Sequence, residues 1–183
     1  YTLSLHDALP ISNLGLGHRR LSILDLSVAG KQPMSFDNER YWITYNGEIY
    51  NFIELKKELQ TKNYVFKTDS DTEVLLSAYH CWGKECLNKF NGMWAFAIWD
   101  KKEKSLFLVR DRFGVKPLYY FHSPEIFAFA SETYSFKFLD DFVQEPNPEI
   151  LSWCINNQVY LEGTGHSIWK NIYQLLPGHF IDF

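Results

Sequence analysis

Four groups of polar residues interrupt an otherwise apolar pattern. They are Arg20, which follows Arg19 inside RRLSIL; Asn46-Gly47-Glu48, after RYWIT; Asp69 and Asp71, ahead of a helical run; and Arg110-Asp111-Arg112, between SLFLV and PLYY. The first three together suit a free α-amino acid, which presents a carboxylate, an ammonium and a side chain. A guanidinium fork grips a carboxylate with two parallel hydrogen bonds, which lysine does not reproduce. An aspartate at a helix start can receive the ammonium. A side-chain amide N–H beside a glycine N–H can donate to an oxyanion, and removing one such donor typically costs about 3 kcal/mol of transition-state stabilisation. On this reading YNGEIYNF is an oxyanion hole, and Gly47 is bare because a Cβ would crowd the reacting carbonyl. The set still lacks a nucleophile.

Each group also has a plainer reading. Asn-Gly is an ordinary turn pair, since both residues tolerate positive φ, and YNGEIYNF lies where a strand gives way to a helix. One of two adjacent strand arginines normally points to solvent. An aspartate at a helix start is usually a cap favoured by the helix dipole. The Arg110-Asp111-Arg112 cluster reads as a structural ion-pair network at a sheet end, because such networks are common without any catalytic role.

Elements that would position these residues follow from periodicity. From Leu14, NLGLGHRRLSIL reads as extended, followed by a loop at Gly30-Lys31-Gln32-Pro33. RYWITYN alternates as a strand with one buried face. Asn51 is a candidate cap for the helix FIELKKELQ, whose Phe52, Leu55 and Leu59 share a face. YVFK reads as a short strand. Thr68, Asp69, Ser70 or Asp71 would cap a second helix, with Val74, Leu75, Ala78 and Tyr79 on its inner side. Asn91-Gly92 reads as a turn. MWAFAIWD, SLFLVRD, PLYYF and IFAFAS, joined by short polar connectors, have the pattern of an antiparallel meander. Such continuous apolar strands call for cover on both faces. SETYSFKFL and PEILSWCINNQ are predicted helical, and IWKNIYQLLPGHFIDF a closing strand pair around Pro177-Gly178. The architecture expected is α+β: two packed, mainly antiparallel sheets with helices outside.

Composition narrows the function classes. The 183 residues suit one domain, or one domain with a piece of another. At 46% hydrophobic and 17% aromatic, the chain can bury a large core. A net charge of −4, with no basic stripe, argues against nucleic acid, and no apolar run approaches membrane-spanning length. Cys81, Cys86 and Cys154 form no metal-ligand pattern, and an odd count argues against a secreted disulfide framework. A cytoplasmic location is expected. The opening YTLSLHDALPIS lacks the basic start of a signal peptide. Back-translated, it looks like a sequencing adapter read in frame, so residues 1–12 are expected to be non-native and the natural chain to begin near Asn13.

The motifs GHRRLSILD, QPM, YNGEIYNFIEL, TDSDTEVLLSAY, FNGMWAFAIWD, RDRFGVKPLYY and FASE occur in an order and spacing that resemble the glutaminase domain of glutamine-hydrolysing asparagine synthetase. The likeness runs from about Leu14 to Phe183, weakening after Glu132 and returning at SIWKNIYQLLPGH. RDRFGVKPLYY favours this family over the phosphoribosyl- and sugar-phosphate amidotransferases. The resemblance implies that Arg20 binds the glutamine α-carboxylate and that Leu21, Ser22, Ile23 and Leu24 line the same pocket. It implies an oxyanion hole of Asn46 and Gly47, with Glu48 and Asp71 holding the substrate ammonium. The implied fold is the αββα sandwich of N-terminal-nucleophile hydrolases, with RDRFGVKPLYY as a structural corner. No cofactor or metal is implied for this domain; ATP and Mg2+ would serve a synthetase domain that follows it. The partners implied are L-glutamine and that synthetase domain, and a homodimer is left open.

Two departures accompany the likeness. The family's nucleophile is an N-terminal cysteine whose own α-amine takes the thiol proton, whereas position 1 here is Tyr, and the family's first strand and Arg-Gly-Pro-Asp loop have no counterpart. The internal cysteines offer no free α-amine. Residues 13–183 are therefore expected to be a class II glutamine amidotransferase domain incomplete at its N-terminus, with the synthetase domain absent after Phe183, and the chain alone is expected to be inactive. Two other readings stay open: a relative that amidates a different carboxylate, and a nucleophile-free binding domain on the same scaffold.

Overall fold

Strands form where aromatic and β-branched residues concentrate. The computed structural model describes residues 8–11, 14–18, 30–140, 142–157 and 161–183. Its strands are β1 (Ala8–Ile11), β2 (Leu14–Gly17), β3 (Met34–Phe36), β4 (Tyr41–Ile49), β5 (Gly92–Asp100), β6 (Ser105–Arg110), β7 (Tyr119–His122), β8 (Phe127–Ala130), β9 (Ile172–Gln174) and β10 (Phe180–Asp182). The helices are α1 (Phe52–Gln60), α2 (Asp71–Trp82) and α3 (Pro148–Asn157), with 3-10 turns at Gly83–Asn88 and Thr133–Phe138. The strands make a five-stranded sheet in the order β10-β6-β5-β4-β3, a three-stranded sheet β8-β7-β9 and a β1-β2 pair. The β1-β2 pair is antiparallel, from Ala8↔Gly17 to Ile11↔Leu14, so the segment expected to be non-native carries a strand.

The chain divides into two compact units, 1–108 with 181–183, and 109–180. In the first, β4 and β5 pair antiparallel along their full length, from Tyr41↔Asp100 to Ile49↔Gly92. Helix α2 packs across β3 and β4 and against α1. It buries every residue from Asp71 to Ala78. Fully burying Val74, Leu75 and Leu76 stabilises the unit by about 1.5–3 kcal/mol each. Ser70 is the cap: its side chain accepts from the Thr72 N–H, satisfying one of the donors a helix start leaves open.

Several local expectations give way. Asn51 precedes α1 but makes no capping bond. Its amide instead donates to Lys89 O and accepts from Asn91 N, both at 2.9 Å, clamping the entry to β5. YVFK is not a strand, because the Glu73 carboxylate claims the N–H groups of Lys67 and Thr68 that a ladder would need. The meander is broken as well: β6 and β7 belong to different sheets. The Pro177-Gly178 segment links β9 to β10 without pairing them, since they too lie in different sheets.

The Arg110-Asp111 corner explains that break. In the second unit the Asp111 carboxylate accepts from the N–H groups of Phe113, Val115 and Lys116, winding RFGVK into a tight crossover rather than a hairpin. Arg110 is 2% exposed and donates to the carbonyls of Gly114, Lys116 and Leu175 and to the Glu162 carboxylate. A buried guanidinium is tolerated when each N–H finds an acceptor in this way. The cluster is therefore structural. Phe121, Phe136 and Ile172 form a core cluster of the same unit.

At the far end of the β4-β5 ladder Arg40 grips Asp100 with two bonds, Nε to Oδ1 at 3.2 Å and Nη2 to Oδ2 at 2.8 Å. Burial pushes the Asp100 carboxyl up, but the Arg40 bonds and the N–H groups of Glu103 and Lys102 outweigh it and hold the group below its ordinary range. A carboxyl depressed by folding contributes stability above its unfolded pKa and loses it as pH falls through the folded value. Asp100→Asn should therefore destabilise more at pH 7 than at pH 3 in chemical denaturation, and an equal loss at both would contradict the role of this ion pair.

Candidate active site

Strand β4 does not end at Tyr45. It runs on through Asn46, Gly47 and Glu48 to Ile49, paired with Ala95, Trp94 and Met93 of β5. The Asn-Gly pair is thus strand rather than turn: it permits a turn but does not impose one, and the β5 ladder holds it extended. Gly47 is required here by close approach. An added Cβ would lie 2.2 Å from Met93 O, 2.8 Å from Trp94 Cα and 2.8 Å from Tyr45 Cε2. The glycine makes room for its neighbouring strand and for the Tyr45 ring, which is a different reason from the substrate crowding expected.

Alternation along the strand separates two functions. Ile43, Tyr45 and Ile49 are buried, while Asn46 and Glu48 are half-buried on the opposite face. The backbone alternates as well. β3 pairs with β4 only as far as Ile43, so beyond it the outer edge of β4 must find other partners. Gln32 supplies the first: its Oε1 accepts from Tyr45 N at 2.7 Å and its Nε2 donates to Tyr45 O at 3.2 Å, as a paired strand would. Asp71 supplies the next, accepting from Ile49 N at 3.0 Å. The Gly47 N–H, midway between them, leaves the strand on the same edge.

Asp71 is the first residue of α2 and is 6% exposed. Its Oδ2 takes both the Ile49 N–H and the Tyr45 hydroxyl, the latter at 2.9 Å. Burial raises its pKa above the ordinary aspartate range, against the opposing pull of the Ile49 N–H, the Tyr45 hydroxyl and the Thr72 N–H; the nearby charge of Glu48 adds to the rise. The Tyr45 hydroxyl is pushed far above its usual range, first by burial and then by the Asp71 charge, so it remains a proton donor. Asp69, the other candidate at this helix, faces solvent with its carboxylate on Lys56 Nζ at 3.0 Å. Only Asp71 turns toward the strand.

Of the expected site residues, Asp71 is held against β4 by Tyr45 and Ile49, and the charge of Glu48 acts on it. Asn46, Gly47 and Glu48 lie between the two residues of β4 that hold Asp71. Arg20, Leu21, Ser22, Ile23 and Leu24 lie outside the described residues. Gln32 and Tyr45 were not singled out from sequence. The signal for Tyr45 was a hydroxyl on the buried face of a strand, which must find a partner. Among the described residues no group of three or more His, Cys, Asp or Glu could hold a metal ion. Cys86 is buried, with its thiol pushed up to about 12 chiefly by burial, and all three cysteines are free.

Comparison with known proteins adds an independent line. The glutamine amidotransferase domain family matches residues 7–183. Asparagine synthetase [glutamine-hydrolyzing] 1 of Bacillus subtilis (strain 168) is 52% identical over 120 residues, covering 66% of this chain and 19% of that protein. Asparagine synthetase [glutamine-hydrolyzing] 3 of the same organism is 39% identical over 170 residues, covering 91% of this chain and 27% of that protein. The chain thus spans about a fifth to a quarter of the length of these relatives. Among solved structures, the glutamine phosphoribosylpyrophosphate amidotransferase from B. subtilis, complexed with ADP and GMP, superposes with a TM-score of 0.60 at 25% identity, covering 73% of this chain and 31% of that one. The α+β class with two mainly antiparallel sheets, expected from sequence, holds.

The close approach at Gly47 has a direct consequence. Gly47→Ala should destabilise the chain by about 1–3 kcal/mol or more, the usual range for overpacking. Urea denaturation measures it, and a variant as stable as the parent would show that the β4-β5 spacing is not the constraint.

Proposed function

The chain belongs to the glutamine amidotransferase family, and from that premise we propose that it is the glutamine-binding part of an enzyme that makes asparagine. Asp71 and Glu48 receive the α-ammonium of glutamine, and the Asn46 side chain and Gly47 N–H face the side-chain amide. Arg20 takes the α-carboxylate, with Leu21, Ser22, Ile23 and Leu24 alongside. The observation that carries the reading is the Asp71 carboxylate, buried where its Oδ2 accepts from the Ile49 N–H and the Tyr45 hydroxyl, on the strand that carries Asn46 and Gly47. A purely structural strand-to-helix contact would be served by a neutral residue at lower cost.

In the parent enzyme a cysteine thiolate attacks the side-chain amide, and the oxyanion of the tetrahedral intermediate meets the Asn46 and Gly47 donors. Ammonia leaves and a glutamyl thioester remains, which water opens to glutamate. The ammonia then displaces AMP from an adenylated aspartate. ATP and Mg2+ belong to the synthetase segment of that enzyme, which also selects the acceptor carboxylate. No helix among the described residues is long and apolar enough to cross a membrane, and a cytoplasmic enzyme is the setting that suits its substrates.

Isothermal titration with L-glutamine tests the pocket without needing turnover. Asp71→Asn keeps an oxygen for Tyr45 and Ile49 and removes the charge, so folding stability should stay within about 1 kcal/mol while glutamine affinity falls more than tenfold. Unchanged affinity in a folded variant, or no binding by the parent chain, would overturn the assignment.

A further inference from the structure

Gln32 and Tyr45 adjoin the residues assigned to glutamine above without being among them. The Gln32 amide, 6% exposed, holds both the N–H and the C=O of Tyr45, the residue immediately before the Asn46-Gly47 pair. The same Nε2 lies 3.4 Å from Thr72 Oγ1, the residue immediately after Asp71. Tyr45, 4% exposed, runs its ring past Gly47, which has no Cβ to block it, and donates from its hydroxyl to Asp71 Oδ2.

Resting on the glutamine reading above, we propose that Gln32 and Tyr45 are positioning residues: Gln32 fixes the strand edge that carries the oxyanion donors, and Tyr45 fixes the Asp71 carboxylate that meets the ammonium. Two bonds converge on Oδ2, from Tyr45 and Ile49, and on this proposal they set the orientation in which the carboxylate meets the ligand. Gln32 ties the two halves together through one rigid amide plane. It stands in for a neighbouring strand where β3 has ended, so the edge of β4 keeps its register up to Gly47. Neither residue touches the reacting atoms.

The roles separate experimentally because only one half of the pocket reads the ammonium. Titrating the chain with L-glutamine and with glutaramate, the same amide without the α-ammonium, distinguishes them. Tyr45→Phe removes one hydroxyl and keeps the ring. It should weaken glutamine about tenfold, the scale of a lost hydrogen bond to a charged group, and leave glutaramate within twofold. Gln32→Leu should weaken both ligands, since it releases the strand edge as well. Equal losses for both ligands in Tyr45→Phe, or no loss for either, overturn the role of Tyr45. A folded Gln32→Leu variant that binds both ligands unchanged overturns that of Gln32. Should Gln32→Leu fail to fold, Gln32→Glu, which keeps the acceptor for Tyr45 N and removes the donor to Tyr45 O, is judged by the same criterion. Failure of the parent chain to bind glutamine is a different result, and it removes the pocket itself.

Discussion

One carboxylate oxygen, Oδ2 of Asp71, joins the strand and the helix that build this site. It accepts from a strand amide and from a tyrosine hydroxyl, and it does so while buried against a helix start. A charge in that position is expensive to desolvate, and the two donors with the N-terminal dipole of α2 offset only part of the cost. The upward shift of its pKa expresses the remainder. Such a residual penalty is what a binding site for a cation looks like before the cation arrives. On the proposed reading, the ammonium of glutamine would supply that counter-charge.

The strand edge explains how the Gly47 N–H comes to lie between two side-chain partners. β3 is short, and past Ile43 the outer edge of β4 is taken up residue by residue: Gln32 on Tyr45, Asp71 on Ile49. Gly47 sits between these two side-chain partners on the same edge. Tight packing against β5 keeps it a glycine, and that absence of a side chain also opens the passage for the Tyr45 ring. The approach of β5 and the passage of the Tyr45 ring thus converge on a single residue.

Much of this was legible in the sequence where a local signal and a tertiary need coincide. The apolar faces of α1 and α2 and the strands from Tyr41, Met93 and Leu106 followed from periodicity, and Asp71 stood out by its residue type at a helix start. The misreadings share one cause: a side chain engaged backbone groups in a way that local pattern does not signal. Glu73 took the amides of Lys67, at the end of the supposed strand YVFK, and of Thr68, Asp111 wound a presumed hairpin connector into a crossover, and Asn51 clamped Lys89 and Asn91 instead of capping α1. The Asn-Gly pair misled because permission for positive φ is not a demand for it. Gln32 escaped notice because a glutamine in a loop carries no periodic signal, and its role exists only once β4 is in place.

The most direct test follows the Asp71 carboxyl itself by carbon-detected NMR through a pH titration, with and without L-glutamine. The midpoint should lie above the ordinary aspartate range in the free chain and move downward on binding, as the ammonium stabilises the ionised form. A midpoint that glutamine does not shift would mean that this buried charge serves the fold alone, and the pocket described here would not exist.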